Sequence, residues 1–162
     1  MEESTIGFEL LGHDQLVAKK TLIESWLFRT LEENPLLLTV ELDTETEIGE
    51  FRWFARVVGE EKDTFTLRFT LRQRMLHYET YVMPEPEENY EQFFRHLLVR
   101  NRQMVGATFC IGEEGAIFLI GSIPSAFVTE GELDRIFGTL WTAVESYFQL
   151  ALQVGFASRF NK

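Results

Sequence analysis

Three consecutive stretches of this chain alternate apolar and polar residues with a period of two, and that alternation constrains the fold more than any other feature. Phe51, Trp53, Ala55 and Val57 alternate with Arg52, Phe54, Arg56 and Val58. Phe65, Leu67, Phe69 and Leu71 alternate with Thr66, Arg68, Thr70 and Arg72, and a third run extends from Arg74 to Met83 before Pro84. Successive strand side chains point to opposite faces, so each run predicts a strand with one buried side. Gly59 to Asp63 makes the first turn. With Glu60 to Lys62 as its loop, Val57 faces Phe65 and Trp53 faces Phe69. With Arg72-Gln73 as the second turn, Phe69 faces Leu76 and Leu67 faces Tyr78. A slip of one residue would turn these aromatics into water, so the pattern selects the pairing.

The flanking segments read as helices and further strands. Asp14 is placed to cap a helix running to Glu33, with Leu16, Ile23, Trp26, Leu27 and Leu31 on one side, and Asn34-Pro35 ends it. Leu36 to Leu42 predicts a strand. Asn89 and Gln92 resemble a capping box for a helix carrying Tyr90, Phe93, Phe94, Leu97 and Leu98. Val105 to Ile111 and Ala116 to Ile123 form a hairpin across Gly112 to Gly115, and Gly121 within it marks a bulge or a close backbone approach. Thr129 with Glu132 caps a last helix, whose apolar positions from Leu133 to Leu152 recur at spacings of three and four. The order is α-β-β-β-β-α-β-β-α: an α+β domain with an antiparallel sheet. The expectation is an N-terminal tail over 1–13 and a single domain over 14–162.

Composition excludes several classes of function. Fifteen basic against 26 acidic side chains give −11, which opposes binding to nucleic acid backbones or anionic lipid. One cysteine rules out an intrachain disulfide, and no apolar run is long enough to span a membrane. The start Met1-Glu2-Glu3 is wrong for a secretory or transit peptide, so a cytoplasmic location is expected.

No reactive constellation emerges. His13, His77 and His96 fall on a tail, a strand and a helix without metal-ligand spacing. Cys110 lies in an apolar strand, and Ser122 and Ser125 have no histidine placed near them by sequence. The glutamates between Gly112 and Gly115 would repel phosphate, and Glu85, Glu87, Glu88 and Glu91 lack the spacing of a calcium loop. The expectation is a protein that is not an enzyme and needs no cofactor or metal.

Two surfaces rise above this background. The polar sides of the strands place Phe54 beside Arg68 and Arg68 beside His77, with Arg52, Arg56, Thr66, Thr70 and Tyr81 nearby. Such a basic and aromatic face fits an acidic polypeptide, although a plain solvated sheet face would look the same. The last helix carries an apolar stripe wider than one sheet requires, with Ile136, Trp141, Phe148 and Leu152 beyond the main seam. Trp141 and Phe148 are therefore candidates for a subunit contact, or for burial between the sheet and a neighbouring helix.

Several local patterns converge on a family. Arg52-Trp53-Phe54 followed by Gly59-Glu60, Pro84-Glu85-Pro86 leading to Asn89, Leu97-Leu98-Val99-Arg100-Asn101, Gly121-Ser122-Ile123-Pro124 and Gly155-Phe156 together resemble the YbjN-like domain proteins of bacteria, in a form like those of cyanobacteria. The resemblance spans roughly 14 to 160. It implies a fold similar to type III secretion chaperones, which are small, acidic, commonly dimeric proteins that bind other polypeptides and catalyse nothing. It defines no catalytic or ligand residues. The expected function is protein binding by a homodimer, with a small-molecule sensor as the alternative, its pocket lying between helices and sheet and lined by phenylalanines.

Overall fold

The computed structural model describes residues 10–160. In chain order the elements are α1 (His13–Glu33), β1 (Leu37–Asp43), β2 (Phe51–Val58), β3 (Thr64–Leu71), β4 (Met75–Met83), α2 (Tyr90–Gln103), β5 (Thr108–Ile111), β6 (Ile117–Pro124) and α3 (Glu130–Gly155). The strands form one six-stranded antiparallel sheet in the order β1-β2-β3-β4-β6-β5. This is the expected class and order, with the strand predicted at Leu36 to Leu42 serving as an edge that, among the described residues, pairs with β2 alone. The part of the expected tail before Leu10 lies outside the described residues. Leu11 is buried and its N–H bonds the Gln73 carbonyl, so the fold begins before 14.

The first hairpin has the predicted register, Val57 opposite Phe65 and Trp53 opposite Phe69. The second does not. Phe69 faces Tyr78 and Leu71 faces Leu76, and the Arg72 N–H bonds the Met75 carbonyl, so the turn is Gln73-Arg74 rather than Arg72-Gln73. The shift is two residues along the partner strand, which leaves every side chain on its own face. A period of two cannot distinguish those registers.

The helix starts also differ from the reading. Gly12, not Asp14, caps α1, and its N–H bonds Gln15 Oε1 at 2.9 Å. Asn89 stands in the left-handed region with φ 54° and makes no cap with its side chain; its amide instead donates to the Val154 carbonyl at 2.9 Å, tying α2 to the end of α3. Thr129 does cap α3, accepting from the Glu132 N–H at 3.2 Å.

The helices pack on one side of the sheet. Trp26 of α1 is buried between Phe69 of β3 and Phe137 of α3, ring edges meeting ring faces at 6.1 and 6.4 Å, and its indole N–H donates to Asp134 Oδ1. Trp53, Leu67, Leu76, Leu119, Ile136, Leu140 and Val144 complete this interior. Each such side chain stabilises the fold by roughly 1.5–3 kcal/mol through apolar burial. The phenylalanines expected to line a ligand pocket, among them Phe65, Phe69, Phe93, Phe109 and Phe137, are packed into the core instead.

Candidate functional site

With the helices on one side, no described element covers the other face of the sheet, and the alternation of the strands decides what it shows. One row across consecutive strands reads Glu41, Phe54, Arg68, Glu79, Ile120 and Thr108. A second reads Asp43, Arg52, Thr70, His77 and Ser122. Tyr81 of β4, which is exposed, lies beside Phe118 of β6 with rings at 5.6 Å, edge to face. A shallow cavity of about 420 Å³ opens between the two rows, lined by Arg52, Arg68, Thr70, Arg72, His77 and Ser122 among others.

Most of the cations on this face are already engaged. Arg52 contacts Glu50 at 2.7 Å, Asp43 at 3.3 Å and the Thr70 hydroxyl at 3.2 Å, and Arg72 meets the second oxygen of Glu50 at 2.9 Å. Arg68 pairs with Glu79 directly across the ladder, while its Nε is buried and makes no hydrogen bond among the described residues. Arg56 is exposed, reaches the Thr64 hydroxyl at 3.1 Å and has no carboxylate partner among the described residues. His77 is held below the usual histidine range, first by partial burial and then by the Arg72 cation, with Glu79 opposing both.

The structure thus keeps Phe54 beside Arg68 but corrects the other pairing. Arg68 lies opposite Glu79, and His77 lies opposite Thr70 in the next row, a direct result of the two-residue register shift. Arg52, Arg56, Arg68, His77, Phe54 and Tyr81 share the uncovered face. Trp141 and Phe148 lie elsewhere, half-buried on α3 where it grips the β2–β3 loop. The Trp141 indole N–H donates to the Val58 carbonyl at 2.8 Å, and the Phe148 ring lies 5.4 Å from Lys62 Nζ. Lys62 also donates to the Tyr81 and Val82 carbonyls, and burial pushes it down to about 8. Glu145 of α3 accepts from the N–H groups of Glu60 and Glu61, closing the same loop.

Sequence reasoning did not single out the outward side of α2. Leu98 is 68% exposed, Val99 52% and Tyr90 50%, and Ile111 at the nearby end of β5 is 62% exposed. A groove of about 300 Å³ runs between α2 and β5, lined by Phe94, Leu97, Leu98, Phe109, Cys110 and Ile111. The readable signal was Leu97-Leu98-Val99, three apolar residues in a row, which no single helix face can bury.

Comparison with known proteins agrees with this architecture. The profile of the YbjN family, described as "Putative bacterial sensory transduction regulator", matches residues 41–152. The chain belongs to the YbjN family. An uncharacterised protein of Mycobacterium leprae is 32% identical over 114 residues, covering 70% of this YbjN chain and 62% of that protein. An uncharacterised protein of Mycobacterium tuberculosis H37Rv is 31% identical over 104 residues, covering 64% and 57%. The matched segment therefore spans less than two thirds of these curated relatives. Among solved structures, a chain of the HopA1-SchA chaperone-effector complex superposes with a TM-score of 0.57 at 18% identity, covering 86% of this chain and 98% of that one. A chain of the ExsC-ExsE complex gives 0.56 at 20%, covering 81% and 94%. At these identities the likeness shows a shared fold, the chaperone-like one that the family resemblance implied. Among the described residues, no helix is long and apolar enough to cross a membrane, and no group of histidine, cysteine and carboxylate side chains could hold a metal ion.

Proposed function

We propose that this YbjN chain is a non-enzymatic regulatory protein that works by holding another polypeptide against the uncovered face of its sheet. The observation that carries the reading is the face itself: Arg68 opposite Phe54, Tyr81 edge to face with Phe118, and Arg56 lacking a carboxylate partner among the described residues, on a chain of net charge −11. A strand surface of that kind suits an extended segment with acidic and apolar side chains, since arginine pairs with carboxylates and stacks on rings. The family description and the fold shared with a chain of a chaperone-effector complex support the same direction. The reading takes the protein to be cytoplasmic and homodimeric, in a form of the family like that of cyanobacteria. Trp141 and Phe148 enter it as the seat of the β2–β3 loop.

The test is selection of short peptides from a random display library against the full chain, followed by NMR mapping of the strongest binder. Enriched peptides should combine Asp or Glu with aromatic or aliphatic residues, shift amides of β2, β3 and β4, and lose at least about tenfold in affinity, roughly 1.4 kcal/mol, with Arg56→Glu. Peptides without acidic residues, or shifts confined to the helices, would sink the reading. His77 adds a pH dependence. A carboxylate bound near it favours its charged form, so binding takes up a proton and tightens as pH falls toward the depressed His77 value while the peptide stays ionised. The charged side chains around it are Arg72, Arg68, Arg52 and Glu79. His77→Gln should flatten the dependence.

A further inference from the structure

We infer that the cavity over Thr70 and His77 is a binding site for a phosphoryl group, carried by a small phosphomonoester or by a phosphorylated side chain. Such a site goes beyond the peptide-holding role proposed above, since free phosphate alone would fill it. The register builds it. Arg68, Thr70 and Arg72 occupy alternate positions of β3 on the uncovered face, so the two arginines stem from the strand about 7 Å to either side of the threonine. Across the ladder Thr70 lies opposite Arg52 on β2 and His77 on β4, and His77 lies opposite Ser122 on β6. With neighbouring strands about 4.8 Å apart, a guanidinium, a hydroxyl, an imidazole and a second hydroxyl follow one another in a single row. All of them line the same cavity of about 420 Å³.

Charge and donors identify the ligand. Three arginines line the cavity against one carboxylate, Glu79, on a chain whose net charge is −11. That net charge opposes a long polyanion, whereas a single compact anion meets only the local cluster. Asp43 and Glu50 hold Arg52 and Arg72 without lining the cavity, so they set the guanidinium groups in place before a ligand arrives. Donors fixed in advance lose less freedom on binding. Arg72 meets Glu50 through Nε, and among the described residues its two terminal nitrogens have no carboxylate partner. The Thr70 hydroxyl accepts from Arg52 Nε at 3.2 Å, which leaves its own proton to be donated. Ser122 and the His77 ring add further donors. A carboxylate has two oxygens to offer this set, whereas a phosphoryl group has three, about twice the charge, and a geometry that arginine forks match.

NMR titration of the full chain with sodium phosphate near neutral pH, at ionic strength held constant with sodium chloride, tests this. Saturable shifts should appear at the amides of Thr70, His77 and Ser122, and acetate should bind at least about tenfold more weakly. His77 is held low by burial and then by Arg72, with Arg68, Arg52 and Glu79 the other charges lining the cavity. A dianion beside it opposes the Arg72 effect, so the ring should titrate at higher pH once phosphate is bound. Arg72→Gln should weaken phosphate binding by about tenfold or more, while Arg95→Gln on α2 leaves it unchanged, with circular dichroism confirming that both are folded. Glycerol phosphate and a short peptide with one phosphoserine separate the sources: equal binding assigns a small phosphomonoester, and tighter binding of the peptide assigns a phosphorylated side chain. Shifts that do not saturate, acetate binding as well as phosphate, or indifference to Arg72→Gln would overturn the site. Phosphate binding without acidic-peptide binding removes the function proposed above and leaves this site standing; acidic-peptide binding without phosphate binding does the reverse.

Discussion

Gly121 shows how tightly one residue can be specified. A β-carbon there would lie 2.3 Å from the Tyr78 ring and 2.5 Å from the Gly106 carbonyl, the same carbonyl that accepts the Tyr78 hydroxyl at 2.6 Å. Gly121→Ala should therefore destabilise the protein by about 1–3 kcal/mol, read as a lower urea midpoint at unchanged slope. An unchanged midpoint would mean that β6 can move off Tyr78 at no cost. Lys62 makes a second test at this scale. Burial lowers its affinity for the proton in the folded state, so the penalty of carrying charge applies in full below about 8 and is relieved as pH rises toward the ordinary 10.5. Stability relative to Lys62→Met should climb across that window in denaturation curves taken on either side of it. A flat difference would show that the two carbonyl bonds and the Tyr81 and Phe148 rings fully offset the loss of water.

At the level of elements, the shortest strand is β5, whose residues Thr108–Ile111 pair, among the described residues, with β6 alone. Its outer edge is held by one side chain: Asn101 of α2 accepts from the Phe109 N–H at 2.7 Å and donates to the Phe109 carbonyl at 3.1 Å, in place of a neighbouring strand. Asn101→Ala leaves both groups unsatisfied and should cost about 1–3 kcal/mol, with hydrogen exchange quickening first at Phe109. Thr129→Ala removes the cap of α3 and should cost about 0.5–2 kcal/mol in thermal or urea unfolding. These two cases also show what a sequence can and cannot convey. The Thr129 cap was legible because donor and acceptor are three residues apart. The Asn101 clamp and the hydrogen bond that the Asn89 amide donates to the Val154 carbonyl were not, because their partners meet only after folding. The β3–β4 register slipped for a related reason: Gln73-Arg74 carries no glycine or asparagine to fix the turn, and the strand pattern tolerates any even shift.

For the molecule as a whole, the element order and the first hairpin were legible because local periodicity, turns and caps all agreed on them. Which face of the sheet the helices would leave open was legible too, since the apolar side of each strand is the one they cover. The composition of that open face was only half legible. The same residues are there, but the shifted register gives Arg68 a glutamate for a neighbour and moves His77 into the next row, under the influence of Arg72. The α2 surface went unseen because a surplus of apolar residues on a helix reads as core until the packing shows which ones are left over.

Alternation along the strands has one more consequence. Odd positions of β2 and β3, such as Trp53, Ala55, Leu67 and Phe69, are shut away beneath the helices, while Phe54, Arg56 and Arg68 between them touch none of that interior. The chain thus writes in the same letters both its own interior and a surface that the interior does not constrain. Changes to that surface can accumulate, and under the proposed function would retune what is gripped, without erasing the interior.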